Sequence, residues 1–132
     1  MPQSFLQLEP EYRDYIWGGS RLRPGIFPTA EAWIVYEHDR ILNGALAGKT
    51  LLEAAEEDAP GILGTKVLAQ ADAGSRLRFP LLIKLLDCRD WLSLQVHPND
   101  RQAVALEGPG QFGKTEAWHV LEAEPAAKLV AG

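Results

Sequence analysis

Glycine and proline interrupt this chain so often that no long helix can run through it. The 132 residues include 12 glycines and 9 prolines, and each one either loosens the backbone or removes a hydrogen-bond donor. Short strands and turns are therefore favoured over long helices. The length suits one domain with a single core over residues 1–132, because domains cluster near ~100–150 residues. Hydrophobic residues make up 46% of the chain and charged residues 23%, which disfavours disorder, a coiled coil and a collagen-like rod.

The net charge of −5 leaves no broad positive field for a polyanion, so nucleic acid is not an expected partner. A local basic pocket for one small phosphate stays open. Cys88 has no second cysteine to pair with, which fits a reducing compartment or an indifferent thiol. The richest apolar stretch, Phe79 to Leu86, is short and interrupted by Lys84. The expectation is a cytoplasmic protein with no membrane partner.

Up to Thr29 the chain reads as loop, because Pro10, Gly18-Gly19, Pro24-Gly25 and Pro28 stop a helix from propagating. Its aromatic residues Tyr12, Tyr15 and Trp17 need burial. Glu31 to Tyr36 is β-branched and aromatic and predicts a strand, followed by a turn at Asn43-Gly44. Thr50 and Glu53 have capping-box spacing and predict a helix over 51–58, ended by Pro60-Gly61. Pro80 to Leu86 predicts a strand buried on both faces. Trp91 to His97 alternates, with Leu92, Leu94 and Val96 on one side and Trp91, Ser93, Gln95 and His97 on the other. Asn99 and Gln102 repeat the capping logic and predict a helix over 99–106, closed by Gly108-Pro109-Gly110. Lys114 to Leu121 and Ala127 to Val130 read as the last strands. Many short strands without a βαβ rhythm predict a mainly β protein, an antiparallel sandwich or barrel.

Two pairs of residues stand out chemically. Gln95 and His97 leave one face of a strand with Cα atoms about 6.5–7 Å apart, which permits both to reach one metal ion. The plain alternative is a hydrogen-bonded histidine. Lys114 and Glu116 form a second alternate-residue pair, with Trp118 on the same face. Glu116 is either an anionic metal ligand beside a neutral His97 or half of a surface ion pair contributing at most ~1 kcal/mol. Lys84 lies inside Leu-Leu-Ile-Lys-Leu-Leu. Its ammonium either points into a polar site or snorkels to water from an edge strand. Trp91 and Trp118 read as core, with sugar stacking as the alternative. His38 and His119 lack comparable partners and read as structural, and Gly18-Gly19 reads as a backbone turn.

Taken together, Tyr15-Ile-Trp-Gly-Gly19, Glu31-Ala-Trp33, Asn43-Gly44 with Gly48-Lys-Thr-Leu51, Phe79-Pro-Leu-Leu-Ile-Lys-Leu-Leu-Asp87, Leu92-Ser-Leu-Gln-Val-His-Pro98 and Gly113-Lys-Thr-Glu-Ala-Trp118 resemble the type I mannose-6-phosphate isomerases. These are zinc enzymes of the cupin superfamily, and the resemblance is especially to their short bacterial branch. The resemblance implies a cupin-type jelly roll with Zn2+ held by Gln95, His97 and Glu116 and completed by a later histidine. It also implies Lys114 in proton transfer or polarisation, Lys84 and Ser93 lining the substrate cavity, and Ser93 as a phosphate contact. Family members continue beyond the position matching Gly132, where the late histidine and a phosphate-binding arginine lie. The expectation is therefore an incomplete jelly roll carrying the first part of the site.

The implied reaction interconverts mannose 6-phosphate and fructose 6-phosphate through an enediol, which needs an acid/base group and an electrophile for the oxyanion. Two alternatives are a non-catalytic sugar-phosphate or metal-binding cupin module and a purely structural or interaction domain. Strands left without neighbours would expose backbone groups and apolar faces, so self-association through exposed strands is a further expectation.

Overall fold

The computed structural model describes residues 5–70 and 77–130. Two compact units divide the chain, residues 1–94 and residues 95–132.

The first unit is built around a three-stranded antiparallel sheet in the order β1 (Glu11–Arg13), β2 (Glu31–Val35), β3 (Ile83–Leu86). The register sets Trp33 opposite both Glu11 and Lys84, and Glu31 opposite both Arg13 and Leu86. Because paired residues share a face, one side of the sheet carries Glu11, Arg13, Glu31, Trp33 and Lys84. Beyond Trp33 an irregularity shifts the pairing so that Val35 meets Ile83.

The strand expected over 31–36 is present one residue shorter. The strand expected over 80–86 forms only at its end, and it is an edge strand with Leu81, Leu82, Ile83 and Leu85 exposed rather than buried on both faces. β1 lies in the segment read as loop, since three residues carry too little pattern to show in sequence. The Gly18-Gly19 turn is present, with Gly18 N donating to Tyr15 O. Gly18 is needed for close approach, because a Cβ there would stand 2.5 Å from Ala30 N. Tyr15 and Trp17 stack at 5.7 Å instead of being buried together.

Helix α1 (Leu51–Glu57) starts as expected: Thr50 Oγ1 accepts from Glu53 N at 3.1 Å and Thr50 N donates to Glu53 Oε2 at 2.7 Å. Pro60 does not end the helical region. Asp58 caps a second short helix, α2 (Ala59–Leu63), which accommodates Pro60 in its first turn, where its missing N–H costs nothing. A third, α3 (Thr65–Gln70), follows. Asn43-Gly44 does turn the chain: Gly44 has φ 69° and opens a 3-10 turn over Gly44–Leu46. The core gathers Ile41, Leu51 and Ala54 with Leu8, Val35, Ile62 and Phe79 around them.

The second unit holds α4 (Asp100–Glu107), capped as expected by Asn99 Oδ1 on Gln102 N at 2.9 Å and Gln102 Oε1 on Asn99 N at 3.0 Å. The strands expected over 91–97, 114–121 and 127–130 do not form, for these segments pair with no ladder among the described residues. A strand exists only where a neighbour completes its hydrogen bonds. As a result Leu94 and Val96 are 95% and 94% exposed, and Trp91 and Trp118, read as core, are exposed as well.

One buried group is out of balance. Asp39 is 3% exposed, and neither carboxylate oxygen meets a hydrogen-bond partner of good geometry among the described residues. Burial pushes its carboxyl up from 3.8 to about 6; the nearby Tyr36 backbone opposes the shift and the Glu11 charge adds to it. An aspartate with a raised folded pKa gives its full stability below its unfolded pKa and loses it as pH rises through the folded one. Asp39→Asn is therefore expected to be more stable than the parent near neutral pH by about 1–3 kcal/mol. That gain should fade as pH falls from about 6 toward about 4. Thermal melts across this range check it, and a gain independent of pH would contradict the assignment.

Candidate functional site

The second unit brings three of the expected residues together through its backbone. Asn99 ends the incoming segment by capping α4, and two hydrogen bonds tie the chain on either side of that cap to the segment after the helix. Lys114 N donates to Pro98 O at 3.0 Å, and Gly113 N donates to Asp100 Oδ1 at 2.8 Å. Gly113 lies so near this turn that a Cβ would stand 2.6 Å from Pro98 O and 2.5 Å from Asp100 N. Only a residue without a side chain allows that approach.

This clamp sets His97 against Glu116. His97 Nε2 and Glu116 Oε1 are 3.2 Å apart, and Lys114 Nζ lies 2.9 Å from Glu116 Oε2. The Lys114 hydrogen bond holds the Glu116 carboxyl below the ordinary carboxylate range; burial opposes this, and the Trp118 side chain and the charges of Lys114 and His97 add to the lowering. Glu116 is thus kept as an anion with one oxygen on an ammonium and the other on an imidazole. Beside His97 an apolar cleft of about 390 Å³ is lined by Val96, His97, Pro98, Gln102, Ala105 and Leu106.

The spacing of Nε2 and Oε1 suits a shared ion. Two ligands of one tetrahedral zinc, each at ~2.0–2.1 Å, stand about 3.3 Å apart, close to the 3.2 Å found here. Among the described residues no group of three or more His, Cys, Asp and Glu side chains gathers around one point. The amide of Gln95, exposed and two residues before His97, is the further donor on the same segment. Lys114 and Glu116 form an ion pair, one with His97 on the other oxygen of the carboxylate.

Lys84 and Ser93 belong to the first unit. Lys84 sits on an edge strand, yet it does not run out to water: its ammonium lies 3.1 Å from Glu31 Oε2. Ser93 is exposed. Sequence reasoning assigned no site role to Glu31, Asp100 or Gly113. Their traces were a carboxylate in an apolar strand, an acidic residue next to a helix cap, and a glycine before Lys-Thr-Glu.

Residues 5–115 match the family described as phosphomannose isomerase type I, catalytic domain. The chain is 39% identical over 140 residues to the probable mannose-6-phosphate isomerase GmuF of Bacillus subtilis (strain 168), covering 96% of this chain and 40% of the relative. It is 36% identical over 137 residues to the mannose-6-phosphate isomerase of Streptococcus mutans serotype c, covering 96% and 40%. The crystal structure of the mannose 6-phosphate isomerase from Bacillus subtilis superposes with a TM-score of 0.67 at 35% identity, over 84% of this chain and 35% of that one. The chain thus spans about two fifths of the length of the curated relatives it matches.

The clamp makes its own prediction. Gly113→Ala is expected to force the 98–100 turn and residues 113–116 apart, costing about 1–3 kcal/mol. Asp100→Ala, which removes one charge-assisted acceptor, is expected to cost about 1–3 kcal/mol. In both variants the His97 ring resonances in an NMR spectrum should lose their response to Glu116→Gln, and retention of that response would show that the clamp does not set the pair.

Proposed function

Since the chain belongs to the type I phosphomannose isomerase family, we propose that it carries the first part of a zinc-dependent isomerase site acting on mannose 6-phosphate and fructose 6-phosphate. Its fold is of the family's cupin type, a three-stranded antiparallel sheet with short helices, the sheet unclosed among the described residues. Residues 1–132 are taken as one such domain.

The observation that carries the reading is the cluster of His97, Glu116 and Lys114 within 3.2 Å contacts. His97 Nε2, Glu116 Oε1 and the Gln95 amide oxygen are the proposed ligands, a borderline nitrogen and two oxygens of the kind zinc accepts. When bound, the ion supplies Lewis acidity toward the carbonyl and hydroxyl oxygens of the sugar. Lys114 holds a proton at Nζ, oriented by Glu116 Oε2 at 2.9 Å, where it can polarise an oxygen or exchange a proton as hydrogen moves between C1 and C2 through an enediol. Ser93 Oγ is the proposed phosphate contact, and Lys84 a proposed contact to the sugar. Moderate exposure of His97 and Glu116, 26% and 34% at their side chains, leaves room for a ligand to reach them.

A non-catalytic sugar-phosphate or metal-binding module is the second reading, in keeping with the lack, among the described residues, of a group of three or more His, Cys, Asp and Glu side chains around one point. No helix among the described residues is long and apolar enough to cross a membrane. The exposed Val96, Leu121 and Val130 support self-association of the isolated chain, which light scattering measures directly.

Zinc titration by equilibrium dialysis and a coupled isomerase assay test the proposal together. His97→Ala and Glu116→Gln are each expected to lower zinc affinity on the order of tenfold or more. Lys114→Met should leave zinc bound and remove turnover. Unchanged zinc affinity in both ligand variants sinks the metal site, whereas zinc and mannose 6-phosphate binding without isomerisation selects the non-catalytic module.

A further inference from the structure

The face of the first unit's sheet that carries Lys84 holds a buried carboxylate with a defined set of donors. Glu31 is 6% exposed. Its Oε1 and Oε2 lie 3.2 and 3.1 Å from Lys84 Nζ, and Oε2 also accepts from Trp33 Nε1 at 2.6 Å. The register explains the convergence. Trp33 and Lys84 are direct cross-strand partners, and Glu31 precedes Trp33 by one full pleat on the same face.

Burying this ion pair returns little net stability, since the cost of removing both charges from water offsets most of their attraction. What the arrangement does supply is direction. An ammonium has three N–H donors, and the two Glu31 oxygens take up two of them. The third has no hydrogen-bond partner among the described residues, and the Lys84 side chain keeps 22% of its exposure. Trp33 also holds the carboxylate, at Oε2, and places its ring 5.9 Å from Lys84 Nζ.

Charge decides what such a lysine recognises. An unmatched lysine attracts phosphate as a point charge, but here the cation is matched by a carboxylate at 3.1 Å. The other cation on this face, Arg13, stacks over the Trp33 ring at 4.3 Å and pairs with Glu11. Two cations thus face two carboxylates. A locally neutral donor held in one direction suits a neutral hydroxyl, whose oxygen accepts from an N–H at little desolvation cost, better than a dianion.

We propose that Glu31 is a positioning residue that fixes Lys84 as a hydrogen-bond donor to a sugar hydroxyl, so that this corner of the sheet reads the polyol of the substrate and not its phosphate. The proposal rests on the sugar-phosphate reading above. It gives the Glu-x-Trp segment and the isolated lysine of the apolar run one joint task.

Titrations of the zinc-loaded chain with mannose 6-phosphate and with inorganic phosphate, followed by the Trp33 indole N–H resonance and by calorimetry, test it. Glu31→Gln is expected to weaken mannose 6-phosphate binding about tenfold and to leave inorganic phosphate within about twofold of the parent. Glu31→Asp keeps the charge but shortens the reach, and should lose the same discrimination even if Glu31→Gln does not fold. Before any ligand is added, Lys84→Gln should shift the Trp33 indole resonance through Glu31. Unchanged mannose 6-phosphate affinity in the Glu31 variants, or an equal loss for inorganic phosphate, overturns the positioning role. If the parent protein binds no mannose 6-phosphate while Lys84→Gln still moves Trp33, the sugar-phosphate reading fails, and the hydroxyl assignment falls with it although the triad stands.

Discussion

The pairing of β2 on both of its edges is the constraint from which the first unit is hung. Ala30 N donates to Arg13 O and Ala30 O accepts from Asp87 N, at 2.8 and 2.9 Å, so one residue at the start of the strand is held from both sides. Thr29, Ala30 and Ala32 are buried and small, and their size lets the Gly18-Gly19 turn lie against the strand at backbone distance. A larger residue at Ala30 or a Cβ at Gly18 would push apart segments that also meet through the Gly19–Thr29 and Gly18–Cys88 bridges. The alternate residues Glu31 and Trp33 are thereby turned to the opposite face, where they meet Lys84. Close backbone packing on one side of the strand thus aims polar chemistry on the other.

The second unit reaches a similar end by different means. It has no sheet among the described residues, and Ala103 is its one buried apolar side chain there. Order comes instead from a capped helix and from two hydrogen bonds across a glycine. Such an arrangement rests on few contacts and is of modest stability, yet it fixes the residues on which the proposed metal site depends. In both units a glycine that permits backbone contact matters as much as the side chains it brings into place.

What could be read from sequence divides according to range. Capping boxes at Thr50 and Asn99 involve residues three apart, so spacing alone reveals them, and both helices start where the pattern puts them. The segments over 91–97 and 114–121 alternate as strands do, but alternation records which side of a strand faces a core and says nothing of where its neighbour is. Without a ladder the pattern remains and the strand does not. Lys84 drew notice as a charge in an apolar run, whereas its partner Glu31 lies 53 residues away in the chain, beyond the reach of periodicity. The family motifs did place both residues in order, which is why the resemblance conveyed more than the spacing.

Charge balance links the two clusters. Lys84 is matched by Glu31 and Lys114 by Glu116, each with an N···O distance near 3 Å, within a chain of net charge −5. Neither lysine therefore offers uncompensated positive charge to a sugar phosphate. In the proposed site Glu116 is also a metal ligand, and a divalent cation there would draw its charge away from Lys114 and leave the ammonium more strongly positive toward a substrate oxygen. Lys84 has no such release, because its partner Glu31 is not among the proposed metal ligands. On this reading the two lysines, one in an apolar run and one two residues before a carboxylate, differ in what their carboxylates are free to do: one pair responds to the metal, and the other serves as a fixed donor.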